Sequence, residues 1–576
     1  MFRPHSICRL QLPLPQPVSP TSRHTSLAPL PLLLRGVLAT TLLALQASLH
    51  SQTFPIVGRN VLYVDSAALD HSVVGTGTLA AAIGALQPGG GTVVLTGSRY
   101  RLLANLVIPE NIRFERNATA FFDVTSSALL DIRGPFDESP SLFLQGPGAV
   151  YLRTASAILP AWFGAVGDGM HDDTIAIQRA IHAAAQMFNL GAFPPSGAKV
   201  PPPIVRLRPG CYRLLGELVL YPGLTLTGES GSPFTNGHTR LVMDLTGNSH
   251  PILRPTRWFE GAKRTQNATV TIQDLEFWFV TIGGSMANPA GGAGYGNGPN
   301  GQPLCSGCGI KIAEQAIDVR IKRCNFFQNP DAAIALVADP AEPAARLRNV
   351  IVDECEFDSG NRFVRGQGVE LDLVVHDSKF FSGTDSLLAE NVTGRIAVTC
   401  SEFEVSARVT VTDSDLSSFH FTGNHHESSG AKGFLTVAHA KTVTITANTF
   451  GQTTMSTIHI VDADGGTICG NTIDNSGYNT SLWTPTLVAG NDNASAAIRL
   501  MGCRNVLVSG NSISTTDTTG VYNGFGIYTR DGQTARPSVG NFVHGNRVSG
   551  AYTNAQWRGQ SRRVNIASGD TASDNV

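Results

Sequence analysis

The sequence predicts an all-β chain wound as a β-solenoid, and the main observation behind this prediction is a repeat of 23 or 24 residues. Similar triplets recur along the chain, and between Cys355 and Asn471 their first residues stand 23, 23, 23, 24 and 23 positions apart. These first residues are Cys324, Cys355, Ser378, Ser401, Asn424, Asn448, Asn471, Asn511 and Asn546. Each unit of such a repeat can bury its apolar side only against its neighbours, and a period of this length suits one turn of a solenoid.

The triplets also predict what occupies one corner of each turn. Equivalent residues of successive turns stack at the strand spacing of about 4.8 Å, so the asparagines from Asn424 to Asn546 should form a ladder of amides that bond to one another. Asn also tolerates the left-handed turn that such a corner needs. The Phe or Ile two residues later lies on one face of the strand and fills the core. We therefore interpret these positions as structural.

The composition argues against two classes of partner. Charged residues make up 15% of the 576 residues and the net charge is −2, which offers no attraction to nucleic acid or to an anionic membrane. No uncharged apolar stretch beyond the N-terminus reaches the roughly 18 residues that a membrane span needs. We predict no nucleic-acid partner and no membrane span in the mature chain.

Residues 1–51 have the features of an export signal. Arginines precede an apolar run from Gly36 to Ala47, and small residues follow it, as in a leader that is removed. We predict a secreted or periplasmic protein. Of the nine cysteines, eight lie beyond this leader, an even number that suits an oxidising compartment. Cys305 and Cys308 are interpreted as a loop disulfide, with half of a metal site and a redox pair as alternatives.

A module of one helix followed by three strands occurs twice. Helices predicted at 78–86 and 174–187 each precede a strand, a turn, a strand with a Tyr and a further strand. Tyr100 and Tyr212 occupy equivalent places. The sequence therefore predicts a β-rich N-terminal segment at 52–160 and a short helix that covers the open end of the solenoid, where an unpaired sheet edge would invite aggregation.

The stretch between this segment and the repeat carries a specific motif. Residues 162–169 are WFGAVGDG, followed by HDDT at 171–174 and an apolar-periodic helix. The motif resembles the one that opens the pectate-lyase-like superfamily, in its rhamnogalacturonase and epimerase-like branch. The resemblance implies a right-handed parallel β-helix, which we place at 161–550, with a tail at 551–576. The Asp pair could be catalytic or hold a metal, but capping of the helix N-terminus is the favoured interpretation.

The longer gaps between triplets predict where loops emerge. Insertions at 281–308, 477–494 and about 515–524 follow a triplet strand and precede the next I-x-I strand. We therefore expect all three to leave the coil at one corner and to wall a lengthwise groove. Long loops on a rigid scaffold often carry function. The resemblance implies that a polysaccharide binds along this strand face.

The I-x-I strands beside that corner predict a column of outward side chains. The middle residues are His459, Arg499 and Tyr528 in three successive turns, Arg530 follows Tyr528, and Lys311 has a similar place in an early turn. Arg499 would bind a substrate carboxylate, and His459 or Tyr528 would act as base or acid. Lys311 and Arg530 would contribute to substrate binding. The alternative is that outward sheet positions simply carry polar residues.

Acidic residues complete the candidate site. Glu390 and Asp413 both lie eleven residues before a ladder residue, so we predict that they stack on neighbouring turns as acid, nucleophile or cation ligands. Asp462 and Asp464 are candidates for a catalytic acid, substrate binding or calcium. A further cluster is interpreted as a solvated charged face. It comprises Glu402, Glu404, His425 and Glu427.

Together these features predict a secreted polysaccharide-active protein that cleaves glycosidic bonds, of an acidic polysaccharide in the favoured case, by hydrolysis or β-elimination. Calcium is the one cofactor to which the carboxylates point. Arg320-Ile321-Lys322 matches one motif of the polygalacturonase branch, but its companion motifs are absent, so the fold carries over and the specific activity does not. A non-catalytic protein for glycan binding or surface attachment and a polysaccharide epimerase are the alternatives.

Overall fold

The chain divides into residues 1–60 and Val61–Val576, and the description concerns the second unit. The described residues include two α-helices, α1 (Leu79–Leu86) and α2 (Thr174–Asn189), and a 3-10 helix at Pro160–Phe163. The computed structural model describes residues 60–189, 203–229, 238–244, 251–256, 269–280, 308–313, 318–327, 332–338, 346–404, 408–428, 433–453, 456–474, 496–514, 525–532, 536–549, 556–557, 560–561 and 564–575.

The main body is a parallel β-helix, as predicted. Its strands form three long sheets of 13, 13 and 12 described strands, and each strand pairs in parallel with its equivalent one turn later. The chain passes from the first sheet to the second and then to the third in every turn. The strands of the first sheet are Ile204–Arg206, Thr225–Thr227, Val270–Gln273, Val319–Lys322, Arg346–Asp353, Glu370–His376, Thr393–Thr399, Asp415–Thr422, Val443–Thr446, Gly466–Cys469, Val506–Ser509, Val539–His544 and Gly569–Ser573.

The second and third sheets complete each turn, and their inward side chains meet those of the first sheet in one continuous core. The strands of the second sheet are Asp168–Asp172, Gly210–Leu214, Thr239–Asp244, Glu276–Val280, Asn325–Phe327, Glu356–Asp358, Lys379–Phe381, Glu402–Phe403, His425–Ser428, Thr449–Gln452, Thr472–Asp474, Ser512–Ser514 and Arg547–Val548. Those of the third sheet are Leu218–Leu220, Leu253–Pro255, Ile310–Ile312, Ala332–Val337, Arg362–Gln367, Asp385–Glu390, Val409–Thr412, Leu435–Ala438, Ile458–Val461, Ala496–Met501, Phe525–Arg530 and Val564–Asn565.

The predicted asparagine ladder lies at the corner between the first and second sheets. Asn448 donates from its backbone N and its Nδ2 to Asn471 Oδ1, at 3.0 and 2.9 Å, and from Nδ2 to Phe421 O at 2.9 Å. The same pattern runs from Asn424 to Asn546, which bonds in turn to Asn575. Earlier turns use hydroxyls, as where Ser378 N donates to Ser401 Oγ. Every buried amide of the ladder thus has partners, as burial of a polar group requires.

An aromatic stack fills the core next to the ladder. Successive ring centroids lie 4.8 to 5.0 Å apart, and the rings are within 10° of parallel. This distance matches the spacing of neighbouring strands. Its members are Phe277, Phe326, Phe357, Phe380 and Phe403. His426 takes this place in the next turn, is fully buried, and stacks on Phe434 with 3.9 Å between ring centroids.

The N-terminal segment is itself a short parallel coil. Three sheets of three strands each stack within residues 61–152. Their strands are Val61–Val64, Gly91–Leu95 and Ile112–Arg116; Arg99–Leu102, Phe121–Val124 and Leu144–Gln145; and Leu106–Ile108, Leu129–Ile132 and Ala149–Leu152. The repeated module is confirmed, because α1 and α2 each precede such a set of three strands, with Tyr100 and Tyr212 buried in the middle ones.

Helix α2 does not cover an open end, which corrects the prediction for its position. It lies between the last strand of the N-terminal coil and the first strand of the third sheet. Met187 Sδ accepts from Leu152 N at 3.2 Å on one side. On the other side the Gln178 amide bonds both the N–H and the carbonyl of Val219, at 2.7 and 3.0 Å. The helix thereby provides hydrogen-bond partners for backbone groups at a strand edge. The N-terminal coil and the main coil are continuous at this point, since Ile158 pairs with Val205 of the first sheet.

The Asp pair before α2 has a structural role, as predicted, but only Asp172 caps the helix. Asp172 Oδ1 accepts from Thr174 N at 3.0 Å, at the start of the helix. Asp173 is buried and its carboxylate instead accepts from Val166 N and Gly167 N, at 2.7 and 3.1 Å. Its carboxylate therefore holds the Gly-rich turn of the WFGAVGDG motif against the helix.

The coil extends past the predicted boundary at residue 550. After a hairpin of Gln556–Trp557 with Gln560–Ser561, the strands Val564–Asn565 and Gly569–Ser573 join the third and first sheets. Asn575 then ends the ladder by accepting from Asn546.

Substitution of Asn448 tests the ladder. Asn448→Ala removes an amide that is 1% exposed, takes the acceptor from two N–H groups of Asn424 and removes one donor to the Phe421 carbonyl. We expect the free energy of unfolding to fall by about 3 kcal/mol, because each buried group without a partner costs about 1–3 kcal/mol. Chemical denaturation measures it. Thr449→Ala, at the exposed neighbouring position, is the control and should change stability by no more than about 0.5 kcal/mol; equal effects would contradict the role of the ladder.

Candidate functional site

The predicted column of outward side chains exists on the third sheet. Register places His459 beside Arg499 and Arg499 beside Tyr528 on consecutive strands. The same position can be followed from the second strand of the sheet to its last, and we name these residues the outer column. They are Arg254, Lys311, Ala335, Arg365, Leu388, Thr410, Thr436, His459, Arg499, Tyr528 and Asn565.

The outer column carries cations near both ends and no carboxylate. Arg254, Lys311 and Arg365 lie toward its start, and Arg499 lies near its end. Arg254 pairs with Glu217 at 3.0 Å, and Arg365 donates to Gln367 Oε1 at 2.6 Å. From Lys311 to Arg499 the column covers seven strand spacings, or about 34 Å. A long, anionic chain molecule would match this distribution of charge.

Three residues near the end of the column form a compact, poorly hydrated group. Arg499 is 8% and Tyr528 7% exposed, although both stand on the outward face of the strand. His459 is half-buried, and its Nε2 lies 3.4 Å from Met501 Sδ. Burial, together with the charge of Arg499, lowers the pKa of His459 to about 3. At neutral pH this histidine is therefore an uncharged imidazole beside a guanidinium.

The predicted stacking of Glu390 on Asp413 is wrong. Glu390 pairs with Gln367 and Thr412, whereas Asp413 follows the strand as an exposed corner residue with φ of 48°. The offset from the ladder misleads here because a bulge in the first sheet, at Ser417, adds one residue to the later turn. Glu390 thus remains on the third sheet, two residues along the strand from the outer-column residue Leu388, and Asp413 does not join it.

Asp462 occupies a corner of the coil and not the outer column. It belongs to a line of residues with positive φ at the end of the third-sheet strands, which comprises Gly368, Asn391, Asp413, His439, Asp462 and Gly502. The carboxylate is 5% exposed, and its Oδ2 lies 3.7 Å from His439 Nδ1. Its Oδ1 fills the space where a side chain at Gly502 would stand. These contacts place the carboxylate in the packing of the corner.

Asp464 is held by an arginine that the sequence did not single out. Arg536 Nη1 donates to Asp462 O at 2.6 Å, and Arg536 Nη2 forms an ion pair with Asp464 Oδ1. The guanidinium is therefore the partner of the Asp464 carboxylate. This arrangement disfavours the predicted calcium role of the Asp462 and Asp464 pair, since a calcium ion would meet a positive charge there. Arg536 could not be found from the ladder, because it lies outside the repeated strands.

The insertions leave the coil at one corner, although most of their residues lie outside the described parts of the chain. Residues 281–307, 475–495 and 515–524 each connect a strand of the second sheet to the next strand of the third sheet. The predicted bridge from Cys305 to Cys308 also cannot be followed, since Cys305 is outside the described residues. Cys308 itself is buried next to the third sheet.

The sequence reasoning missed a line of outward aromatic residues on the second sheet. Trp278 pairs in register with Phe327, and Phe381 stands at the same position two turns later. The rings of Trp278 and Phe327 lie 4.7 Å apart, and the guanidinium of Arg240 lies 5.1 Å from the Trp278 ring. All three are half-exposed. Paired aromatic residues after the ladder position, as in Phe277-Trp278 and Phe326-Phe327, were the pattern that could have shown them.

Three of the four residues predicted as a solvated charged face, Glu402, Glu404 and Glu427, lie close together beside the second sheet. Ligand oxygens of Glu402, Glu404 and Glu427 lie within 4.8 Å of one another. Burial, followed by the charges of Glu427 and Glu402, raises the pKa of Glu404. Lys379 pairs with Glu402 at 3.2 Å and neutralises part of the charge. Three carboxylates with added water are a set that calcium accepts, so these residues fit the cation better than Asp462 and Asp464 do.

Comparison with known proteins agrees with the parallel β-helix fold. The family model described as rhamnogalacturonase A/epimerase, pectate lyase-like matches residues 162–292. The match covers the WFGAVGDG motif, α2 and the first turns of the coil, and it confirms the resemblance found in the sequence. No match is found among curated proteins. The fold is thus a parallel β-helix, and its first turns match the pectate-lyase-like family model.

Solved structures similar to this chain include proteins from bacteriophage and bacteria. Tailspike protein 3 of bacteriophage CBA120 is 14% identical, with 73% of this chain and 61% of that chain covered and a TM-score of 0.43. The A-module of a mannuronan C-5 epimerase from Azotobacter vinelandii is 16% identical, with 72% and 99% covered and a TM-score of 0.42. A DFA-IIIase from Arthrobacter chlorophenolicus A6, in complex with GF2, is 14% identical, with 72% and 92% covered and a TM-score of 0.42.

The match to the tailspike spans less than two thirds of that protein, and identities this low concern the fold alone. Among the described residues no helix has the length and apolar character needed to cross a membrane.

The pKa of His459 tests whether the group that it forms with Arg499 and Tyr528 is shielded from water. Its folded pKa of about 3 lies below the ordinary value of about 6.5, so the unfolded chain binds the proton more readily. Its contribution to stability is therefore complete above about pH 6.5 and is lost as the pH falls toward 3. In protein with isotope-labelled histidine, we expect the NMR chemical shift of the His459 ring to stay unchanged from about pH 8 to pH 5. The resonance is assigned by its loss in His459→Gln. Titration near pH 6.5 would show that the imidazole is hydrated.

Proposed function

We propose that the protein acts on an acidic polysaccharide at the outer column and cleaves it by β-elimination next to a uronate carboxylate. The observation that carries the proposal is the position of Arg499 between an uncharged His459 and Tyr528 on three consecutive strands. Each of the three groups has a part in that reaction. The cationic residues farther along the column support the choice of an anionic chain as the substrate.

The reaction requires a cation, a base and an acid. Elimination removes the C5 proton of a uronate, so the electron pair forms the C4–C5 double bond and the C4–O bond breaks. The negative charge that develops on the carboxylate is stabilised by a guanidinium that binds both of its oxygens. The Tyr528 phenol can accept the C5 proton or donate one to the departing oxygen. The low pKa of His459 makes its uncharged imidazole a weak base, so its part is to form a hydrogen bond beside the guanidinium.

The burial of the group supports this chemistry and sets a condition on binding. In a site from which water is excluded, the attraction between Arg499 and a substrate carboxylate is stronger than in solution. Because Arg499 is only 8% exposed, a substrate must displace protein atoms to reach it. We therefore expect binding to be accompanied by movement around the end of the outer column.

Hydrolysis is less well supported than elimination. Hydrolysis by the usual mechanism needs two carboxyl groups about 5 to 9.5 Å apart. Glu390 lies three turns, or about 14 Å of stacking, from the turn that carries His459. Asp462 is packed into the corner and Asp464 is paired with Arg536. An epimerase would begin with the same removal of the C5 proton, and the products distinguish it.

A second candidate function is glycan binding without catalysis, for attachment to a surface. The half-exposed rings of Trp278, Phe327 and Phe381 on the second sheet favour it, because aromatic faces stack on sugar rings and bury apolar area with little loss of conformational entropy. Under this proposal the aromatic face of the second sheet would bind the glycan and leave it intact.

Incubation with polyuronates tests the proposal. The protein should release products with an unsaturated terminal uronate, detected by absorbance and mass spectrometry, from an alginate or a pectin and not from a neutral β-glucan. Arg499→Gln should lower kcat/KM by about 10²- to 10³-fold and Tyr528→Phe by at least about 10²-fold. Arg206→Gln, the same change at an exposed position of the first sheet, is the matched control and should retain activity.

The products decide between the candidates. Saturated fragments would point to hydrolysis, and a changed uronate composition at constant chain length would point to epimerisation. Retention of glycan with no change in the polymer would support binding alone. Full activity of Arg499→Gln would show that the reaction takes place elsewhere on the coil.

A further inference from the structure

A cavity of about 450 Å³ lies beside α2, on elements that the proposed polysaccharide site does not use. One wall is the turn Gly146-Pro147-Gly148 of the N-terminal coil, and the other is a face of α2. Phe163 and Val150 form the apolar floor. Its volume falls within the range of about 300–1,000 Å³ that is typical of pockets for small ligands.

One face of α2 directs three polar side chains toward this cavity. Arg179, His182 and Gln186 follow each other at helical spacing and all line it. The ring of His182 is oriented by a hydrogen bond between its Nε2 and Tyr221 Oη, 2.7 Å apart. The opposite wall is kept in place by its glycines, because a Cβ at Gly146 or Gly148 would collide with the backbone oxygen of Val124 or Thr125.

Arg179 is the residue that indicates a ligand. Its guanidinium carbon lies 5.4 Å from the centroid of the Phe163 ring, which holds the plane of the group against the floor. Its Nη2 is buried and has no hydrogen-bond partner among the described residues. Burial lowers the pKa of Arg179, and the Asp123 charge offsets only part of this effect. Asp123 itself forms an ion pair with Arg99.

An N–H group that is buried without a partner costs stability, and Nη2 of Arg179 is such a group. The side chain as a whole is only partly buried and lines the cavity, where a guanidinium can bind a planar carboxylate through two parallel hydrogen bonds. Gln186 adds an amide that suits the hydroxyl groups of a polar ligand. The volume leaves room for about one sugar ring with its carboxylate.

We propose that this cavity is a binding site for a small sugar acid, whose carboxylate is bound by Arg179 and whose ring lies between α2 and the Gly146-Pro147-Gly148 turn. The site is independent of the reaction proposed for the outer column, because no residue is shared between the two.

Calorimetric titration of the full chain with D-glucuronate, and with D-glucose as the neutral probe, tests the site. We expect saturable binding of glucuronate and at least about tenfold weaker binding of glucose. Arg179→Gln should weaken glucuronate binding at least about tenfold, and Arg206→Gln, the same change at an exposed position of the first sheet, should have no effect. Arg499→Gln should also leave this binding unchanged, so that a failure of the outer-column proposal is recognised separately.

Thermal unfolding without ligand distinguishes a ligand site from a structural role. If Arg179 is kept for a ligand, Arg179→Gln should leave Tm unchanged or raise it, because it removes a buried charge, while it abolishes the rise in Tm that glucuronate produces in the unaltered protein. A lower Tm for Arg179→Gln together with unaltered glucuronate binding would overturn the proposal. So would equal binding of glucose and glucuronate, or no saturable binding of either.

Discussion

The hydrogen bonds of the asparagine ladder are the interaction on which the rest of the coil depends. At the corner between the first and second sheets the chain turns sharply at the same place in every turn, and a sharp turn leaves backbone N–H groups facing the core. The side-chain oxygen of each ladder residue accepts the N–H of the residue one turn earlier, as Asn471 does for Asn448 and Asn511 does for Asn471. One side chain thereby satisfies the corner and fixes the register of two turns, because it reaches its partner only when the turns are aligned.

The fixed register explains how residues far apart in the sequence become neighbours on the outer face. His459 and Arg499 are 40 residues apart, yet they stand on adjacent strands because both precede a ladder asparagine by the same interval. A column of side chains on such a scaffold is spaced at the strand separation. Charges placed at intervals along it, from Lys311 to Arg499, have a spacing that suits the linear polymer we propose as the substrate.

The protein carries polar groups in two different settings, and the difference matters for function. At the ladder and at Asp173 every buried polar atom described has a partner within the fold, so these groups stabilise the structure. Arg499, beside His459, and Arg179 instead place a guanidinium in poorly hydrated surroundings at an outward face of the sheet or at a cavity. Groups of the second kind are the ones from which we infer binding or catalysis.

The repeat alone was enough to predict the coil, the ladder, the outer column and the corner from which the insertions leave, because each follows from counting residues at a constant period. The count failed where the period changed: the bulge at Ser417 separated Glu390 from Asp413, and no periodicity could indicate that Arg536 folds back onto Asp464. It also could not reveal that α2 lies between two stacks, with a cavity against the Gly146-Pro147-Gly148 turn. Local spacing determines which residues share a face of the coil. Which side chains meet across separate segments, and which of them lose contact with water, is decided only when those segments pack together.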